Sequence, residues 1–277
     1  MLKFGRVNRL TVIRGSEIGF WLDGGVDGEV FLPRKWALGK IELDQQIEAF
    51  VYYDSKDRLT ATMRKVPAQA GQFASLRVSA ISPYGAFLDL GLDKDVLLPL
   101  SEQKQSVEID RRCLVYLFVD EQNRLTATAK VDQYLDLTPP PYKKGEAVEL
   151  VILNRSDLGY NAIINHQHRG VIYANEVFET LYFGSHKQGF IKHIRDDGKI
   201  DLMLQSHSET MDRYSQLIYQ QLKQNDGYLP LHDKSSPVEI KAILNISKGA
   251  FKKAIGSLYK QKRIVILHDG IRLNTDS

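Results

Sequence analysis

The sequence predicts a mainly β chain with a C-terminal α+β domain: three tandem five-stranded barrels of the OB type followed by a winged helix. Three observations predict it. The first 132 residues are one unit written twice at a spacing of 66, identical at 20 of 66 positions with no gap, where ordinary composition gives roughly four. Each copy breaks into short apolar runs separated by glycine turns, the pattern of strands. Beyond about residue 207 the apolar spacing becomes helical. A long repeat made of short strands closes into a small barrel, and arrays of such barrels are usually binding modules.

In the first unit, placed at 1–66, strands are expected at 2–13, 17–23 and 28–32, parted by Asp23-Gly24-Gly25 and Asp27-Gly28. A short polar segment with Trp36 and Leu38 follows. Two further strands, at about 46–53 and 58–63, are joined by Asp54-Ser55-Lys56-Asp57. The second unit, 67–136, repeats this order. The match is densest where Asp54 and Arg58-Leu59-Thr60-Ala61-Thr62 recur as Asp120 and Arg124-Leu125-Thr126-Ala127-Thr128.

The run Pro139-Pro140-Pro141 stops helix and central strand alike and reads as a linker. A diverged third unit is expected at 143–205. Gly145 plays Gly71 there, and Leu158-Gly159-Tyr160 plays Pro83-Tyr84-Gly85 with the glycine register kept. Val171-Ile172-Tyr173 is its third strand, and Asp197 to Leu204 closes it.

The last domain is expected at 207–277. Met211, Tyr214, Leu217, Ile218 and Leu222 keep helical spacing. Ser236-Pro237-Val238-Glu239 is a capping box with proline at the first helical position. Ser247 is placed to cap a third helix with Phe251, Ile255 and Leu258 on one face, and a hairpin turns at His268-Asp269-Gly270. Three helices and a hairpin are the order of a winged helix.

The net charge of +3 is too small to identify a polyanionic partner; the placement of charge matters more. The single cysteine, Cys113, lies in an apolar strand-like run and reads as a buried small hydrophobe. The opening residues show no apolar signal-peptide core, and no apolar run approaches about 18 residues. The expectation is a cytoplasmic, soluble monomer without a membrane partner.

The second unit resembles the RNA-binding OB domain of the ribosomal protein S-one type. The carriers are Val78, Tyr84-Gly85-Ala86-Phe87-Leu88-Asp89, Val96-Leu97-Leu98-Pro99-Leu100-Ser101-Glu102, and Arg124 to Thr128. The first unit matches through Gly19-Phe20-Trp21-Leu22-Asp23. Three such domains and a winged helix resemble the conserved virulence factor B family of bacterial RNA-binding regulators. The resemblance implies post-transcriptional regulation. It also implies that an aromatic on the second strand and a histidine on the third stack on bases. Trp21 and Phe87 occupy the aromatic position, but Pro33 and Pro99 stand where the histidine would be, and Asn161 falls at the aromatic position of the third unit, with Tyr160 beside it. The first two units are therefore expected to stack bases weakly, and residues 143–277 to keep more RNA affinity than 1–132.

Trp21, Phe87 and Tyr84 are the candidate stacking residues, against the plain alternative of filling the barrels. Arg58, Arg124 and Lys199 recur at one place in the three units. They would hold phosphate or merely pair with their turns. From Lys241 to His268 there are seven basic residues, Lys241, Lys248, Lys252, Lys253, Lys260, Lys262 and Arg263, and no acidic one. Lys248 and Lys252 share a helix face, the element a winged helix lays on nucleic acid. His193, between Lys192 and Arg195, is a further candidate. His166-Gln167-His168 places two imidazoles on one strand face, a metal pair without a visible third ligand. No phosphate-cradling loop, nucleophile elbow or carboxylate pair is present.

These readings favour single-stranded RNA as partner, no cofactor and no catalysis. A DNA-reading transcription regulator and a protein-interaction scaffold at the ribosome are the alternatives, with a nuclease behind them.

Overall fold

The computed structural model describes residues 1–138, 140–177, 179–204 and 207–274, with the side chains of 207–213 excepted. Pro139 of the expected linker and the Met211 side chain lie outside the described residues.

The first barrel comprises β1 (Arg6–Gly15), β2 (Gly19–Asp23), β3 (Glu29–Pro33), β4 (Gln46–Tyr53) and β5 (Leu59–Thr62), closed in the order β1-β2-β3-β5-β4. The second follows the same circuit with β6 (Phe73–Ser82), β7 (Gly85–Asp89), β8 (Val96–Pro99), β9 (Arg112–Val119) and β10 (Leu125–Thr128). The repeat holds to the residue. The parallel closure pairs Phe31 with Thr60 in one barrel and Leu97 with Thr126 in the other. A bulge interrupts the first strand after Val12 and, one repeat later, after Val78. Alternating residues fill the interiors: Val12, Leu22, Val30, Leu32 and Ala61 in the first, Val78, Leu88, Val96, Leu98 and Ala127 in the second, all within 3% of full burial.

The third barrel comprises β11 (Ala147–Ser156), β12 (Gly159–Ile164), β13 (His168–Tyr173), β14 (His186–Ile194) and β15 (Ile200–Met203), on the same circuit. Its first strand carries the same bulge, after Ile152.

The chain divides into two compact units, Met1–Pro140 with Glu149–Val171 and Thr180–Lys187, and Pro141–Val148 with Ile172–Glu179 and Gln188–Ser277. Inside the first unit the barrels share buried surface. Phe50 and Tyr52, on β4 of the first barrel, belong to the core of the second. Trp36 Nε1 donates to Asp93 at 3.0 Å, and Lys35 pairs with the same carboxylate at 2.8 Å. The Gly5 carbonyl accepts from Ala70 N at 2.8 Å, so one barrel begins on the backbone of the other. Phe73, Leu114 and Val131 of the second barrel are buried with Val151, Leu153 and Ile163 of β11 and β12.

The Tyr52 hydroxyl is buried, with the Asp93 backbone beside it. Burial, reinforced by the charges of Asp93 and Asp54, pushes its pKa up to about 12 from 10.0. The folded state therefore disfavours tyrosinate. The stabilisation is complete below the unfolded value and is lost as pH rises from about 10 to about 12, a loss of roughly 2–3 kcal/mol. Urea midpoints measured across that window should fall, and Tyr52→Phe should remove most of the fall.

The C-terminal domain runs α1 (His207–Gln224), β16 (Tyr228–Leu229), α2 (Pro237–Leu244), α3 (Lys248–Lys260), β17 (Ile264–Ile266) and β18 (Ile271–Leu273), with sheet order β16-β18-β17. Ser236 Oγ accepts from Glu239 N at 3.2 Å while Glu239 accepts from Ser236 N at 2.7 Å, closing the capping box. Ser247 caps α3 through Ala250 N at 3.2 Å. Ile218, Leu222, Ile240, Phe251, Ala254 and Leu258 form the core between helices and hairpin.

Candidate nucleic-acid interface

The bulge on each first strand fixes which second-strand residue faces outward. In register, Trp21 stands opposite Arg14, Phe87 opposite Ala80, and Asn161 opposite Asn154. The three are one position seen three times, but their surroundings differ. Trp21 is half-buried. The Arg14 guanidinium lies 3.9 Å from its ring centroid, and the Phe31 ring is 5.2 Å away across β3. Glu29 holds Arg14 at 2.6 Å. An aromatic pair under a guanidinium is a surface on which a base can stack beside a phosphate. Phe31 is not visible as a candidate in the sequence, because its partner follows from register rather than spacing.

Phe87 is also half-buried, but Leu97 faces it in place of Phe31. Ser79 Oγ, beneath it, donates to Asp95 at 2.5 Å. Asp95 stands where Glu29 stands in the first barrel, and Ala80 takes the place of Arg14, so the second barrel keeps the carboxylate and lacks the cation. Asn161 is buried and donates to Asn154 Oδ1 at 2.7 Å. Tyr160 pairs in register with Arg155, the place of Phe20 rather than Trp21. Gly159 pairs with Ser156 as Gly85 does with Ser82. The structure thus shifts the expected correspondence by one: Leu158, not Gly159, takes the place of Tyr84.

At the end of the third strand the barrels diverge again. Pro33, Pro99 and Tyr173 each immediately precede a short 3-10 turn, at Arg34–Trp36, Leu100–Glu102 and Ala174–Glu176. The third barrel therefore carries an aromatic ring where the first two carry proline. Tyr173 is half-buried, and its hydroxyl lies 3.2 Å from Asp201. Arg195 donates to that hydroxyl and to Asp201, the latter at 2.7 Å. Lys192 Nζ lies 5.5 Å from the Tyr173 ring and also pairs with Glu176. His193 is exposed and stands opposite Asp201. Arg195 and Tyr173 were legible only as neighbours in sequence, Arg195 as a flank of His193 and Tyr173 as a strand residue.

The recurring cations make turn contacts. Arg58 holds Asp54 at 2.7 Å, and Lys199 holds Asp197 at 2.7 Å. Burial alone would raise the Asp54 pKa, but donors from Arg58 and the turn backbone hold it below the usual carboxylate range. The Arg124 side chain lies 4.0 Å from Asp57 of the neighbouring barrel. Tyr84 tops its hairpin at 80% exposure. Ile18 and Leu158 are likewise exposed at the matching tips, each before a glycine whose carbonyl accepts from a serine Oγ three residues back.

On α3, Phe251, Ala254, Ile255 and Leu258 face the core, while Lys252, Lys253 and Lys260 are exposed and Lys248 is half-buried. Lys248 Nζ donates to the Lys234 carbonyl at 3.4 Å. Lys262 is exposed just after the helix. Arg263 instead packs 3.9 Å from the Tyr219 ring of α1.

His166 and His168 do not share a strand face. Asn165 and His166 have φ of 48° and 56°, so His166 sits in the tight turn before β13. Its Nδ1 accepts from Phe73 N at 3.0 Å, and burial holds its pKa below the ordinary histidine range. His168 is buried at the start of β13. Cys113 is half-buried on β9, and burial pushes its thiol pKa up.

Barrels with aromatic and cationic outer faces, joined to a winged helix with a lysine-rich third helix, define a chain built from nucleic-acid-binding domain types. Residues 4–64 and 70–130 match the S1 domain, and residues 216–273 match the CvfB-like winged helix domain. The chain thus carries two S1 domains followed by a CvfB-like winged helix domain. It is 27% identical over 274 residues to the uncharacterized protein YitL of Bacillus subtilis, covering 94% of this chain and 90% of that one. It is 28% identical over 236 residues to conserved virulence factor B of Staphylococcus aureus, covering 82% of this chain and 79% of the relative. Among solved structures it is similar to a Streptococcus pneumoniae multidomain protein with nucleic acid binding domains, at 24% identity and a TM-score of 0.44 over 98% of each chain.

Proposed function

We propose that this protein binds single-stranded RNA in the cytoplasm and regulates gene expression after transcription, by occupancy rather than catalysis. The observation that carries the reading is Tyr173. It brings a ring to the third-strand position at which domains of this type stack a base, with Lys192 and Arg195 beside it. The Trp21 and Phe31 pair under Arg14 supplies a second such surface. Stacking tolerates any sequence because every base has a π face.

The test is fluorescence anisotropy of the full chain with one sequence as single-stranded RNA, single-stranded DNA and duplex DNA, each across a salt series. Preference for RNA single strands is the expected result. Preference for duplex would move the function to α3 and to transcription, and no binding at low salt would leave a protein scaffold. Point variants are the right tool here, because cutting between residues 132 and 143 would strip Phe73, Leu114 and Val131 from Val151, Leu153 and Ile163.

Changing Lys248, Lys252 and Lys253 together to alanine should weaken binding similarly for all sequences. It should flatten the salt slope by roughly 2, at about 0.7 for each single-strand phosphate that the variant no longer neutralises. An unchanged slope would remove α3 from the binding surface.

A further inference from the structure

The compact unit built from Met1–Pro140, Glu149–Val171 and Thr180–Lys187 contains a cleft of about 640 Å³ that none of the stacking positions uses. Its walls carry four cations, Lys104, Arg111, Arg112 and Arg169, against two carboxylates, Glu108 and Asp132. The carboxylates are spent on part of that charge: Lys104 holds Asp132 at 2.5 Å with Arg169 at 3.8 Å, and Glu108 lies 3.5 Å from Arg111. Arg112 is different. Its guanidinium donates to the carbonyl and hydroxyl of Ser75, neutral partners that fix its position, and its charge also acts on Asp89, which Arg77 holds at 2.9 Å. Two positive charges are thus in excess.

The rest of the lining suits a base. Val107, Leu114 and Val131 give an apolar wall, and Phe183 adds a ring that is 52% exposed. Asn154 also lines the cleft, and it is the residue that holds Asn161 at the stacking position of the third barrel. The cleft therefore opens beside that position. Its volume lies in the range of small-molecule sites, which combine apolar walls with a few fixed polar groups.

We infer that this cleft is a nucleotide site, taking a phosphate on its arginines and a base against Phe183 and the apolar wall. The nucleotide comes from a bound RNA strand or is free in solution. The first source rests on the RNA reading above; the second does not.

Cys113 lines the cleft and is the single cysteine of the chain, so it reports occupancy without any labelling mutation. Its alkylation rate would be measured on the full protein at pH 8.5, alone, with AMP, with ATP, and with a single-stranded RNA whose binding is followed by anisotropy in the same samples. Occupancy should slow alkylation about 10-fold, because a thiol covered by ligand loses access to the reagent. Arg111→Ala with Arg169→Ala, both exposed side chains, should abolish that protection while thermal melts stay unchanged. Protection by AMP or ATP identifies a free nucleotide, and protection by RNA alone identifies a residue of the strand. If RNA binds while every ligand leaves the rate unchanged, the cleft assignment falls and the RNA reading stands. Protection that survives in the double variant also overturns the assignment. If nothing binds by anisotropy and nothing protects, both readings fall together.

Discussion

Gly85→Ala is expected to unfold the second barrel under conditions in which Gly28→Ala lowers stability only moderately. Gly85 has a φ of 148°, and a Cβ added there would meet the Leu98 carbonyl oxygen at 2.2 Å and Pro99 Cα at 2.8 Å. Both obstacles are backbone of β8, so relief requires the β7–β8 pairing to open rather than a side chain to turn. Strained φ and a broken edge of the ladder together cost on the order of 4 kcal/mol. Gly28 has a φ of 90° but nothing within 4 Å of its added Cβ. Only the conformational penalty of that backbone region applies there, about 1–3 kcal/mol. Urea unfolding followed by tryptophan emission would report the difference, since Trp36 is tied to Asp93 of the second barrel. Equal midpoints for the two variants would show that the hairpin yields more easily than its close backbone approach implies.

Tyr173→Ala is expected to lower affinity for single-stranded RNA by about 1–3 kcal/mol, roughly 5- to 150-fold, the worth of one stacked base. Tyr173→Phe keeps the ring and loses the hydroxyl that Arg195 and Asp201 share, so it should retain most of the affinity. Phe87→Ala should cost less than Trp21→Ala, because Ala80 stands opposite Phe87 where Arg14 lies over Trp21. Anisotropy titrations at one salt concentration would rank all four. If Tyr173→Ala bound as tightly as the parent, the third-strand position would be excluded as a stacking site.

The barrels were legible because a duplicated sequence states its own register. Once Asp54 to Thr62 aligned with Asp120 to Thr128, one barrel circuit implied the other. The winged helix was legible through local chemistry, the Ser236–Glu239 box and the Ser247 cap, which act within four residues. The outer face was only half legible. Trp21 and Phe87 could be aligned, but Arg14 and Phe31 reach Trp21 across strands, and cross-strand neighbours depend on the bulge after Val12, which leaves no mark in composition. Tyr173 reads as an ordinary strand residue because the third unit's lengths have drifted. Its equivalence to Pro33 and Pro99 emerges from the 3-10 turn that follows each. The burial of Phe50 and Tyr52 in a neighbour's core was likewise invisible, since alternation says which face is apolar and not what covers it.

The joint between the first two barrels has a consequence for how a ligand would be measured against them. Ala70 N is bonded to the Gly5 carbonyl, and Phe50 and Tyr52 lie in the second barrel's core, so the pair has no slack to take up. A flexible tether lets two modules find ligands of many lengths, each with a modest gain; a rigid one rewards only a strand that spans the fixed separation. On the single-strand reading proposed above, affinity for this pair should rise with oligonucleotide length as a step rather than a slope, so that the joint would set the length of strand the pair rewards.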